Sequence, residues 1–171
     1  MTLTFTVPGE DFNQAGRASR EVKKVLARLG VDPGLIKRVA VAMYEAELNM
    51  VIHAGGGTAV AEISPERVVL TLEDSGPGIP DLDLAMQEGY STAPEWIREL
   101  GFGAGMGLPN MRRNSDEFTI DSAPGRGTRV TLILNLGDAA APAPAAPSTA
   151  VPAESRASVS GADPSSKEAV P

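Results

Sequence analysis

The sequence has no cysteine. That excludes a disulfide framework and any thiolate centre, and it fits a reducing compartment, so a cytoplasmic location is expected. No uninterrupted apolar run approaches the roughly 20 residues that a membrane-crossing helix requires. The first eight residues lack the basic-then-apolar order of a secretory signal. Basic charge is not in excess either: the formal net charge is −7 at pH 7, which argues against a surface that tracks nucleic-acid phosphates. A single nucleotide remains open, because a few local groups decide its binding.

What is present is a 171-residue chain with 42% hydrophobic residues, enough for one packed domain and a tail. Composition changes after Gly137. In residues 138–171, Ala, Pro and Ser supply 23 of the 34 positions, and the large apolar residues are Val151, Val159 and Val170 alone. Such a segment buries too little to offset its ordering entropy, so a globular domain over 1–137 and a disordered Ala/Pro/Ser-rich tail are expected.

Within 1–137, Thr2–Val7 alternates as a strand. Its Leu3, Phe5 and Val7 face either the core or a subunit interface, which leaves a homodimer open. Phe12–Leu29 is expected to be a helix stopped by Gly30. Asp32 and Pro33 cap and start a second helix that runs to about Ala54, before Gly55–Gly57. Thr58–Ile63 and Arg67–Glu73 form a hairpin, and Asp81–Gln87 a turn or two of helix. A long loop follows with a short helix near Pro94–Leu100, then a helix over Leu108–Asn114. Strands at Glu117–Asp121 and Thr128–Leu134 close the domain. Strands at both ends and in the middle, with helices between, predict an α/β two-layer sandwich: a mixed, mostly antiparallel sheet covered on one face by helices.

The second helix carries Glu45, Asn49 and His53 at four-residue spacing, hence on one face. Ile36, Val39, Met43, Ala46 and Met50 lie opposite, and Val41, Leu48 and Ile52 flank the polar stripe. A stripe this narrow between apolar residues reads as the wall of a wet pocket, against the alternative of a solvated or hydrogen-bonded stripe. Its chemistry is that of a general base and hard oxygen ligands suited to Mg²⁺ with phosphates. His53, the single histidine, is expected to be packed or hydrogen-bonded rather than catalytic.

Two glycine motifs follow. Asp74-Ser-Gly76-Pro-Gly78 sits at a strand end. It is either an ordinary turn or a place where a flat ligand meets bare backbone, with the Asp74 carboxylate suited to an exocyclic amine such as that of adenine. The run Gly101-Phe-Gly103-Ala-Gly105-Met-Gly107 opens onto a helix, either as a flexible loop or as a phosphate cradle. It is neither a dinucleotide fingerprint nor a Walker loop, because no parallel βαβ unit precedes it and no Gly-Lys-Ser/Thr follows. Each motif alone is weak; the three in this order point to ATP.

Glu45-Ala-Glu-Leu-Asn49, Asp74-Ser-Gly-Pro-Gly78 and Gly103-Ala-Gly-Met-Gly-Leu108 together resemble the anti-sigma-factor serine/threonine kinases and switch kinases. These belong to the ATPase superfamily shared with DNA gyrase, histidine kinases and the mismatch-repair ATPase (the Bergerat fold). The resemblance spans about Thr4–Leu136, and Ala85–Thr92, Leu108-Pro109 and Asp116–Phe118 are nearest the switch-kinase branch. It implies Glu45 as general base and Asn49 as the Mg²⁺ ligand. It implies Asp74, Gly76 and Gly78 at the adenine, Gly103, Gly105 and Gly107 with Leu108 at the phosphates, and Thr128 reaching adenine through water. Asp81–Leu100 would be a lid. It further implies γ-phosphoryl transfer from ATP to a STAS-type anti-sigma antagonist, with a sigma factor or another regulator as a further partner. An ATP-gated binding module with little transfer is the alternative. Residues Ala93–Leu100 depart from the family pattern as an insertion bearing on lid closure or partner choice, within which Trp96 is expected to pack the lid. The tail has no counterpart in that pattern.

Overall fold

The computed structural model describes residues 1–9 and 14–137. The predicted tail and the start of the predicted first helix, Phe12 and Asn13, lie outside them. The elements in chain order are β1 (Thr2–Pro8), α1 (Arg17–Arg28), α2 (Pro33–Asn49), β2 (Gly56–Ile63), β3 (Arg67–Asp74), α3 (Leu82–Ala85), α4 (Glu95–Glu99), α5 (Gly107–Arg113), β4 (Glu117–Ser122) and β5 (Thr128–Asn135).

The five strands form one sheet in the order β1-β2-β3-β5-β4, and all four pairings are antiparallel. Register places every apolar alternation on one face. Phe5 lies opposite Ala59, Ala59 opposite Leu72, Leu72 opposite Val130 and Val130 opposite Ile120. Because side chains alternate along a strand, this aligns Leu3, Phe5 and Val7 with Ala61, Leu70 and Leu132 toward the helices. Leu3, Phe5 and Val7 therefore serve the core. Helices α1, α2 and α5 pack on that face, and Val22, Leu26, Val39, Met43 and Met111 are fully buried between the layers. The predicted two-layer sandwich is the observed one, with a wholly antiparallel sheet.

Helix α1 begins later than the sequence predicts. Residues 14–16 are a turn, and no side chain near Gly16 caps the helix. The cap comes from α2 instead. Glu47, 1% exposed, accepts hydrogen bonds from the backbone N–H groups of Ala18 (3.1 Å) and Ser19 (2.7 Å). A carboxylate at a helix N-terminus satisfies two otherwise orphaned donors and complements the dipole. Burial still pushes the Glu47 pKa up, with those amides opposing it. Helix α2 starts as predicted: the Asp32 side chain accepts from Leu35 N at 3.0 Å and Pro33 opens the helix. In its second turn Arg38 pairs with Asp116 at 2.5 Å, and Asp116 also accepts from Asn135 N at 2.7 Å, fastening α2 to the start of β4 and to β5. Among the described residues no helix is long and apolar enough to cross a membrane.

Candidate functional site

The helix carrying the polar stripe reaches Ala54 as expected, but its last turn, Met50–Ala54, is a π-helix. A widened turn of this kind is uncommon and clusters at functional sites. Here it brings Ile52, His53 and Ala54 to the wall of a pocket of about 720 Å³, the size range of small-ligand sites. Nine of the ten predicted site residues line it: Glu45, Asn49, Asp74, Gly78, Gly103, Gly105, Gly107, Leu108 and Thr128. Gly76 does not. Its Cα packs behind the wall, where a Cβ would fall 2.6 Å from Ala54, and its N–H holds Asp74. The structure thus gives Gly76 a packing and positioning role beside the one expected of it.

At one end of the pocket Asp74 is fixed by two backbone amides, Gly76 N at 2.9 Å and Thr128 N at 3.2 Å, both on Oδ1. Among the described residues Oδ2 has no hydrogen-bond partner. Thr128 is itself held: its hydroxyl is 2.9 Å from Ser122 Oγ, which also contacts Gly127 O and accepts from Ile79 N, each at 2.9 Å. When the single Ser122 proton goes to the Gly127 carbonyl, Thr128 must donate to Ser122 and present acceptor lone pairs elsewhere. His53 lies on the wall near Asp74. Desolvation at the wall lowers its pKa while the Asp74 charge opposes the shift.

At the other end stand Glu45 and Asn49. Glu45 Oε1 accepts a 2.7 Å hydrogen bond from Asn110 Nδ2 on α5. Asn49 has no side-chain partner among the described residues, and its amide lies against Gly107, where a Cβ would stand 3.0 Å from Oδ1 and 3.2 Å from Nδ2. Gly107 thus leaves room for the Asn49 amide. The glycine run also meets the lid segment. Gly89 N donates to Gly105 O at 3.0 Å, and Gly105, at φ 73°, approaches so closely that a Cβ would lie 2.4 Å from the Gly89 carbonyl carbon. An Arg113–Glu88 ion pair flanks this clasp. Within the lid, Ile97 is buried, whereas Trp96 is 54% and Leu100 60% exposed. Ile97 is the buried residue of α4.

A family model described as histidine kinase-like ATPase domain matches residues 10–134. The chain belongs to this family. It is 34% identical over 127 residues to the serine/threonine-protein kinase RsbT of Bacillus subtilis, covering 72% of this chain and 87% of that protein. It is 37% identical over 115 residues to the anti-sigma F factor of Pasteuria penetrans, covering 62% and 73%. Among solved structures, the RsbU and RsbW domains of Rv1364c from Mycobacterium tuberculosis align with a TM-score of 0.54 at 20% identity, over 78% of this chain and 32% of that one. The structural likeness shows the fold.

In this histidine kinase-like ATPase domain the pocket gathers the residues expected at the nucleotide, and three of its features were missed in the sequence. The π-turn has no simple residue signature. Ser122 reads there only as a strand end. Asn110 sits in Gly107-Leu-Pro-Asn110 and looks like one more polar residue of a short helix; a count three residues on from the last glycine would have put it on the same face as Gly107.

Proposed function

We propose that the chain is an ATP-dependent serine/threonine protein kinase that transfers the γ-phosphoryl group of ATP to a STAS-type anti-sigma antagonist in the cytoplasm. The observation that carries this reading is the pairing of Glu45 and Asn49 on one helix face. Asn110 engages one carboxylate oxygen, and among the described residues neither the other oxygen nor the Asn49 amide has a hydrogen-bond partner. The names of the relatives, a serine/threonine-protein kinase and an anti-sigma factor, support the reaction class.

Asp74 Oδ2 accepts from the adenine amine, with Thr128 beside it, Gly78 at the wall and Gly76 holding Asp74 in place. Gly103, Gly105, Gly107 and Leu108 enclose the phosphates. Asn49 offers a hard amide oxygen to Mg²⁺, and no cluster of three or more His, Cys, Asp or Glu among the described residues offers a cage, so phosphate oxygens and water complete the shell. Bound there, the ion would neutralise charge developing on the phosphates. Glu45 aligns the acceptor hydroxyl and takes its proton as the new O–P bond forms and the bond from the γ-phosphorus to the ADP oxygen breaks.

The experiment is incubation of the full chain with γ-labelled ATP, Mg²⁺ and candidate STAS-domain proteins. Wild type is expected to move label to a Ser or Thr, and Glu45→Ala to lower the rate roughly 10²- to 10⁴-fold. A Glu45→Ala variant that transfers at the wild-type rate would falsify the assignment. The clasp between Gly89 and Gly105 also favours a second reading, in which nucleotide sets the lid conformation that grips a partner. That reading holds if no label moves and partner affinity differs between ATP and ADP.

A further inference from the structure

Asn110 is the one side chain among the described residues that hydrogen-bonds to Glu45. Its placement is rigid. The Asn110 N–H donates to Met106 O at 2.8 Å, and Asn114 Nδ2 donates to Asn110 O at 2.8 Å, so the backbone is held from both sides. Its neighbours Leu108, Pro109 and Met111 are buried, which fixes the rotation of α5 about its axis. The side-chain amide therefore leaves α5 in a set direction and meets Glu45 Oε1 at 2.7 Å while both residues are only half-buried.

We propose that Asn110 is the positioning residue for Glu45, holding Oε1 so that Oε2 faces the acceptor hydroxyl. This rests on the reading of Glu45 as the base. A free glutamate side chain samples several rotamers, and only some place an oxygen within reach of a reacting hydroxyl. Fixing one oxygen restricts the carboxylate to the orientation in which the second is aimed. Asn is suited to the task because its amide donates without carrying charge. Lysine or arginine would compete for the phosphates, and aspartate would repel Glu45.

The test compares wild type, Asn110→Ala, Asn110→Asp and Glu45→Ala as full chains. Label transfer from Mg²⁺-ATP to the STAS-domain protein that wild type phosphorylates is followed at one pH. Binding of a non-hydrolysable ATP analogue is measured beside it. Asn110→Ala is expected to lower the transfer rate about 10- to 100-fold with analogue affinity within about threefold. Asn110→Asp, which sets a carboxylate against Glu45 where the amide donated, is expected to lower transfer at least as far, again with analogue affinity kept. A merely structural role would lower transfer and analogue binding together; that result overturns the proposal. So does wild-type transfer by Asn110→Ala while Glu45→Ala is inactive, which leaves the base assignment standing. Wild-type transfer by Glu45→Ala removes the base assignment and this proposal with it.

Discussion

Replacing Gly107 by alanine separates folding from nucleotide binding at this site. Gly107 opens α5 and is absent from the positive-φ glycines, so alanine fits its backbone. In a helix alanine is favoured over glycine by up to about 1 kcal/mol, and the fold of Gly107→Ala is expected to be as stable as wild type or slightly more so. The new Cβ, however, would stand 3.0 Å from Asn49 Oδ1, 3.2 Å from Nδ2 and 3.5 Å from Cγ. Those separations are a few tenths of an ångström inside ordinary contact, and what gives way is the end of the Asn49 side chain. Mg²⁺ demands oxygen ligands near 2.0–2.1 Å in close to octahedral geometry, so on the proposed placement a displacement of that size would take Asn49 out of the shell. Loss of one contact to a charged group corresponds to about 1.5–3 kcal/mol, or roughly 10- to 150-fold in affinity. Calorimetric titration with a non-hydrolysable ATP analogue is run in Mg²⁺ and again in EDTA, with thermal unfolding of the free protein alongside. The variant should lose affinity in Mg²⁺, approach wild type in EDTA and keep its melting temperature. Equal Mg²⁺-dependent affinity in the two proteins would refute the placement of Asn49 at the metal.

Asp74→Asn keeps an oxygen for Gly76 N and Thr128 N but turns an amide donor toward the adenine amine. ATP affinity should drop by about 1–3 kcal/mol with little change in melting temperature, and the His53 pKa should fall further because the opposing Asp74 charge is gone; an unchanged dissociation constant counts against the adenine end assigned here. For Asp116, the Arg38 hydrogen bond and then the Asn135 amide hold the carboxyl below its ordinary value of 3.8. A pKa lower in the folded state gives stability that is fully present above the unfolded value and is lost as pH falls through the folded one. Asp116→Asn should therefore be less stable than wild type at pH 7, by about 1 kcal/mol or less for a surface pair. The gap should close below about pH 4, so denaturant melts showing a constant gap from pH 7 to pH 3 would contradict the linkage.

What was legible in the sequence was local. The alternation of Val68, Leu70 and Leu72, the Asp32-Pro33 start of α2 and the four-residue spacing of Glu45 and Asn49 each declare themselves within one turn or one strand. What was not legible was supplied across the fold. Helix α1 has no start signal of its own because Glu47 caps it from 28 and 29 residues away. Asn110 acquires its meaning only beside Glu45, 65 residues earlier. The packing role of Gly76 was hidden because the sequence does not show Ala54 occupying the space beside it. With α4 only five residues long, Ile97 takes the single inward position and leaves the Trp96 indole largely exposed.

Helix α5 joins these distant pieces. Glu45 and Asn49 are one turn apart on α2, and Asn110 and Gly107, three residues apart on α5, meet them in the same order. The two helices thus face each other turn for turn: one α5 residue holds the carboxylate while the other leaves room for the amide. The same short helix is fastened to the lid base on either side, through the Gly105–Gly89 hydrogen bond before it and the Arg113–Glu88 pair at its end. Seven residues span only about 10 Å, and three of them are buried, so α5 moves as a unit or not at all. If Glu45 and Asn49 have the roles proposed above, one short helix bears on both the base and the metal ligand, and its two ties to Glu88 and Gly89 connect both to the segment expected to form the lid.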